Sequence, residues 1–170
     1  TEILIEIEEG GRKLIRVSDN GYGMDREDLE LAFRSHSTSK LAEPEDLMHI
    51  TTMGFRGEAL PSIGAVAHAS IASRALGAET GHEIEISAGK LGDVKAKGCA
   101  QGTVVTVRNV FFNTPVRLKF MRGESAEMSH IADVVTRIAM AQAHVRFELM
   151  HNRKRAFLLL DSDSLLDRIR

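Results

Sequence analysis

Apolar and polar side chains alternate from the first residues onward. Ile3, Ile5 and Ile7 are interleaved with Glu2, Glu6 and Glu8, broken only by Leu4, as in a half-buried strand. Gly10-Gly11 then supplies a turn, and Lys13 to Ser18 is expected to run back as the hairpin partner. Asp25 stands where it can N-cap a helix, with Leu29 and Phe33 four apart on its inner face. Residues 34–44 hold no sustained apolar period and read as a long polar loop. A short helix near 45–49, a glycine-containing turn at 53–57 and a second short helix near 57–63 follow. From residue 66 the pattern predicts strands at 66–74, 82–88, 93–98 and 102–109, then a long helix at about 123–142. Met128, Ile131, Val135 and Ile138 recur at three and four residues and predict the buried stripe of that helix. Strands at 145–151 and 154–160 flank the polar turn Asn152-Arg153, and 163–170 begins a further helix. Hairpin, helices, sheet, long helix and hairpin in that order indicate an α+β two-layer domain.

Composition narrows this picture without redirecting it. A chain of 170 residues, 43% hydrophobic, fits one globular domain with a sizeable core. With no Trp, that core must rest on Ile, Val, Leu, Met and Ala. The net charge of −2 gives no global pull toward nucleic acid or membrane. Residues 1–60 carry 7 Lys/Arg against 13 Asp/Glu, whereas residues 61–170 carry 15 against 11, so the later part is mildly basic. That asymmetry suits either a solvated face or a weak phosphate contact. Cys99 is the single cysteine, which excludes an intrachain disulfide and fits a reducing compartment. No apolar run approaches the roughly 20 residues that span a bilayer, so no membrane partner is expected. The chain opens on a strand pattern without an initiator Met, as would a piece of something longer.

Five segments carry chemistry. Asp19-Asn20-Gly21-Tyr22-Gly23-Met24 joins a strand to a helix. A carboxylate at a strand end can accept from a ring amino group and offers nothing to a carbonyl, which selects adenine over guanine. Gly21 and Gly23 let the backbone approach a flat base without a Cβ in the way. Taken alone, Asp-Asn-Gly is an Asx-type turn. Gly54-Phe55-Arg56-Gly57 precedes Glu58-Ala59-Leu60 at a helix start, where backbone N–H groups and the helix dipole can nest an anion. Thr38-Ser39-Lys40 offers two hydroxyls and an ammonium in the long loop. Thr103 adds a small hydroxyl at the start of a strand, and Asn113 to Phe120 combines a Pro-started helix with Arg117 and Lys119. The histidines have no metal-ligand spacing, so no zinc site is expected.

Together these segments resemble the MutL family of DNA mismatch-repair ATPases, within the superfamily of gyrase B, Hsp90 and the histidine kinases. Asp19 to Met24 resembles the adenine-binding motif, Gly54 to Leu60 the phosphate-binding motif, and Thr38-Ser39-Lys40 the nucleotide lid. Gly102-Thr103 resembles the last nucleotide motif, and Phe112-Asn113-Thr114-Pro115 to Phe120 is similar to a MutL hallmark found in neither histidine kinases nor chaperones. The resemblance implies a Bergerat-type ATP-binding fold, a mixed, mainly antiparallel sheet with helices on one face. Residues 1–162 would form the ATP-binding lobe, and 163–170 would start the connection to a following domain. ATP would be the cofactor. Asp19, Asn20, Gly21, Gly23, Met24 and Thr103 would serve the base; Thr38, Ser39, Lys40 and Gly54, Phe55, Arg56, Gly57, Glu58, Ala59 and Leu60 the phosphates.

The implied partners are DNA, a second copy or a paralogue joined through the ATP-bound lobe, and a mismatch-recognition protein. Arg117, Lys119, Arg153, Lys154 and Arg155 would give weak, salt-sensitive and sequence-independent DNA contact. The implied location is cytoplasm or nucleoid, or the nucleus in a eukaryote. In the family, a helix before the first hairpin carries a catalytic Glu and an Asn that ligates Mg²⁺. This sequence starts after that point, so it is not expected to turn over ATP by itself, and Mg²⁺ is expected only in the intact protein. The alternative is a protein- or DNA-interaction module of the same fold with a vestigial nucleotide site.

Overall fold

A computed structural model describes residues 1–33, 58–164 and 168. The loop expected at 34–44, the helix near 45–49 and the turn at 53–57 lie outside the described residues. So do Thr38, Ser39, Lys40, Gly54, Phe55, Arg56 and Gly57, and most of the segment after Ser164.

The opening alternation forms β1 (Glu2–Glu8), which turns back into β2 (Leu14–Asp19). A 3-10 turn over Glu9–Gly11 makes the reversal, with Gly10 and Gly11 both at positive φ (+61° and +86°). The first helix, α1 (Arg26–Ala32), is capped by the Asp25 carboxylate, which accepts from the Asp28 N–H at 2.9 Å. Helix α2 (Ala59–Val66) leads directly into β3 (His68–Arg74) and β4 (Gly81–Ser87). The strand expected at 93–98 is shortened to β6 (Lys95–Lys97), which joins the unexpected β5 (Lys90–Leu91) on the outer edge of β4. Gly89, Gly92 and Gly98 punctuate that segment, and its paired residues are exposed, so no buried face sustains a longer strand. Strand β7 (Gly102–Arg108) follows, then α3 (Pro115–Lys119), α4 (Glu124–Ala141), β8 (Arg146–His151) and β9 (Lys154–Leu159).

One sheet results, in the order β5-β4-β3-β7-β2-β1-β8-β9, with β6 also on β4. Every neighbouring pair is antiparallel except β1 with β8. The sheet is therefore mixed and mainly antiparallel. Asn152 and Arg153, both at positive φ (48° and 65°), close the β8–β9 hairpin as a primed two-residue turn.

Pairing register aligns the inward residues in rows. Ile7, Ile15, Val107, Ala69 and Ile86 form one row, and Ile5, Val17, Val105, Ile71 and Ile84 the next. Leu29 of α1, its C-cap Phe33, and Leu60 and Ile63 of α2 pack on the β3–β4 side of this face. Helix α4 covers the β1–β8 side, where Ile5, Ile7, Phe147 and Leu149 are buried. Among the described residues, the helices that contribute to the core thus lie on one face. Each fully buried side chain of the size of Ile71 or Leu149 contributes roughly 1.5–3 kcal/mol. The opposite face is polar: Glu6, Arg16, Thr106, Ser70 and Glu85 are register neighbours on it.

The stripe of α4 departs from expectation at one position. Met128, Ile131, Ala132 and Val135 pack inward, but the next inward residue is Ala139, fully buried, while Ile138 is 38% exposed. The stripe steps by four from Val135, and the small Ala139 lets the helix end close against the sheet.

Candidate functional site

The third inward row breaks the apolar pattern. Ile3 pairs with Asp19, Asp19 with Thr103, Thr103 with Ser73, and Ser73 with His82. The helix-covered face therefore ends in a carboxylate followed by two hydroxyls on the next strands, with Ile3 on its other side. Ser73 is fully buried.

The segment after Asp19 is tied down at every step. One carboxylate oxygen of Asp19, Oδ1, accepts from the Gly21 N–H at 2.8 Å, closing the Asx-type turn that the sequence indicates. Among the described residues the other oxygen, Oδ2, has no hydrogen-bond partner. The Asn20 side chain accepts from the Glu2 N–H at 2.8 Å, and the Gly21 carbonyl accepts from Gln101 Nε2 at 3.1 Å. The Tyr22 carbonyl accepts from the Leu76 N–H at 2.7 Å, and the Met24 N–H donates to Ser73 Oγ at 2.7 Å. Two glycines allow this closeness. Gly23 (φ +70°) lies against the Arg74 carbonyl, and Gly102 (φ +109°) against that of Asp19, so that a Cβ on either would overlap the oxygen.

The structure thus brings Asp19, Asn20, Gly21, Gly23, Met24 and Thr103 together at one end of the sheet. Residues 58–60 stand at the start of α2, whose other end is tied to the far end of β3 and β4 through the Gly64 and Ala67 carbonyls. The Glu58 side chain makes no N-cap hydrogen bond, Ala59 is exposed, and the Leu60 side chain packs into the core. Sequence reasoning missed Ser73, Gln101 and Arg74. Only Ser73 left a signal, as the polar member of the inward series Ala69, Ile71, Ser73.

The five cations form a separate group. β2 ends at Asp19 and begins at Leu14, which pairs with Glu8 and Arg108. The β8–β9 turn belongs to that other end, since Asn152 Oδ1 accepts from the Glu9 N–H at 3.1 Å. So does the loop into α3, where the Asn109 N–H donates to the Lys13 carbonyl at 3.2 Å. Arg117, Lys119, Arg153, Lys154 and Arg155 therefore gather at the sheet end opposite Asp19. Arg155 is engaged with Glu148 at 2.8 Å, Arg117 lies 6.0 Å from the Phe111 ring centroid, and the Arg153 side chain is 91% exposed. Lys13 is paired with Glu8 at 2.9 Å, and its hydrogen bond holds the Glu8 carboxyl below the ordinary carboxylate range.

The Phe112–Phe120 motif has a structural task as well. Phe111 donates its N–H to the Val66 carbonyl at 2.7 Å, and Asn113 Nδ2 donates to the Ala65 carbonyl at 2.9 Å. Both close the otherwise open C-terminus of α2. No three His, Cys, Asp or Glu side chains gather among the described residues, and no metal ligand is assigned.

Residues 1–109 match the family model of histidine kinase-, DNA gyrase B-, and HSP90-like ATPases. The chain is 51% identical over 168 residues to the DNA mismatch repair protein MutL of Geobacter sulfurreducens, covering 99% of this chain and 28% of that protein. Against MutL of Clostridium acetobutylicum it is 46% identical over 168 residues, covering 99% of this chain and 27% of the relative. Among solved structures, the Aquifex aeolicus MutL ATPase domain complexed with ADP superposes with a TM-score of 0.76 at 31% identity, covering 99% of this chain and 59% of that one. The chain thus spans little more than a quarter of the length of these curated relatives.

Proposed function

Because this chain belongs to the histidine kinase-, DNA gyrase B- and HSP90-like ATPases, in their MutL branch, we propose that it is the ATP-binding core of a DNA mismatch-repair protein and that Asp19 reads adenine. What carries the reading is the polar row itself. Asp19 is held by the Gly21 N–H, its second oxygen has no partner among the described residues, and Thr103 is its register neighbour. A carboxylate so placed accepts from the 6-amino group of adenine and repels the 6-oxo group of guanine. Gly21 and Gly23 leave the approach to the base free of Cβ atoms. Asn20 fixes the turn to β1, and Met24 fixes it to β3.

The phosphates are assigned to Gly54–Leu60, ahead of the N–H groups that open α2, and to Thr38, Ser39 and Lys40. Binding of ATP, with the 38–40 segment closing over its phosphates, favours pairing of this lobe with a second copy or a paralogue. That pairing links a mismatch-recognition protein to strand incision and excision. DNA contacts fall to Arg117, Lys119, Arg153, Lys154 and Arg155 through phosphate attraction. No residue here is assigned as the general base.

Calorimetric titration of the full-length protein with a non-hydrolysable ATP analogue tests the reading. Asp19→Asn should lower affinity by about 10- to 150-fold, the worth of a hydrogen bond to a charged group. Unchanged affinity would sink the adenine assignment. If the unaltered protein failed to bind the analogue, the vestigial-site alternative would replace it.

A further inference from the structure

We propose that Arg74 is a positioning residue for the nucleotide: its guanidinium braces the two loops that hold the turn from Asp19 to Met24 in its binding conformation. The inference rests on the adenine reading and deepens it. The turn has little packing of its own. Asn20 and Tyr22 are exposed, and Gly21 and Gly23 bring no side chain. From outside the turn, two hydrogen bonds reach its middle. Gln101 Nε2 donates to the Gly21 carbonyl at 3.1 Å, and the Leu76 N–H donates to the Tyr22 carbonyl at 2.7 Å. Two glycines give the turn much backbone freedom to lose, so its shape depends on where those donors are held.

Both donors stand on loops with little to fix them. Leu76 is 61% exposed, and Gly77 beyond it has nothing nearby. On the other loop, Gly98 and Ala100 are exposed on either side of Cys99. Arg74 spans the two. It ends β3 and alternates there with the inward Ser73, so its side chain leaves the sheet on the face away from the helices. Nε donates to the Cys99 carbonyl at 2.9 Å, and Nη1 donates to the Ala78 carbonyl at 3.1 Å. One planar fork thus ties residues 75–78 to 99–101. Its own carbonyl lies against Gly23 and completes the wall. Asp19 belongs to the helix-covered face, so the guanidinium is not placed to meet the base. What it supplies is preorganisation. Apparent affinity falls with the fraction of molecules whose turn is already formed. Loosening the brace therefore slows capture of the nucleotide and leaves escape alone, because no contact to the nucleotide is lost.

The test is stopped-flow binding of a fluorescent, non-hydrolysable ATP analogue to the full-length protein. Arg74→Met should slow association about tenfold, the worth of one to two ordinary hydrogen bonds, with dissociation nearly unchanged. Arg74→Lys keeps the charge but not the fork; it should fall between the two and gives the readout should Arg74→Met not fold. Gln101→Ala should show the same signature. Because Arg74 acts partly through Gln101, the double variant should lose less than the product of the single losses. Unaltered association in a folded Arg74 variant, the result for a merely structural arginine, would overturn the proposal. So would faster dissociation, the result for a nucleotide contact, or fully multiplicative losses with Gln101→Ala. The adenine reading would survive any of these, since Asp19→Asn tests it separately. An unaltered protein that fails to capture the analogue would overturn both.

Discussion

Gly23 lies so close to Arg74 that a methyl group on it would overlap the Arg74 carbonyl oxygen, and its φ of +70° is one that side chains rarely adopt. Gly77 shares that backbone region, at φ +78°, with nothing nearby. Gly23→Ala should therefore cost both backbone strain and overpacking, together about 2–5 kcal/mol. Gly77→Ala should cost the strain alone, about 1–2 kcal/mol. Urea midpoints at unchanged slope measure both, and equal losses would contradict the close approach at Gly23.

Asn113→Ala removes the donor to the Ala65 carbonyl and should destabilise the protein by about 1 kcal/mol. The loss should be local. Hydrogen exchange should quicken in the last turn of α2 and stay unchanged in α4, whereas a uniform rise would show that Asn113 does something else.

Lys13→Gln should raise the Glu8 carboxyl toward its ordinary value, because the Lys13 hydrogen bond is the largest cause of its lowering. A folded-state value below the unfolded one stabilises at neutral pH, and that contribution is lost as pH falls through the lowered value. The stability difference between the two proteins should accordingly close on acidification below about pH 4. Carboxyl chemical shifts followed against pH would show the Glu8 change directly, and an unmoved titration would refute the pairing.

Charge reversal at Arg117, Lys119, Arg153, Lys154 and Arg155 should weaken DNA binding at low salt and leave ATP-analogue affinity as it was, because the two groups occupy opposite ends of the sheet. Unaltered DNA affinity at low salt would remove these residues from the interface. Arg155 should contribute least, since Glu148 already engages it.

Most of the fold is legible because local periods and tertiary burial agree. Ile3, Ile5 and Ile7 alternate, and all three face the covered side of the sheet. Asp25 reads as a cap and is one. Ile138 misled because a three-residue step and a four-residue step both continue a helical stripe, and only packing against β8 chooses Ala139. The segment at 93–98 carries strand-like residues but buries none of them fully. Within the candidate site, the turn from Asp19 to Gly21 is legible because Asp-Asn-Gly closes an Asx-type turn from its own side chain. Ser73 and Gln101 are not, since their roles depend on which strands become neighbours, and order along the chain does not state that.

The parallel pairing of β1 with β8 places β1 beside a strand synthesised only after β2 to β7. Ile5 has Val17 on one flank almost at once, but its other flank stays bare until Leu149 has been made. During synthesis β1 is thus an unprotected edge, the kind of surface that recruits stray strands. The row from Ile3 through Asp19 and Thr103 to Ser73 has no such wait, because its members are all present once β7 has emerged. The Asp19 end of the sheet can assemble on a nascent chain whose hydrophobic seam is still open.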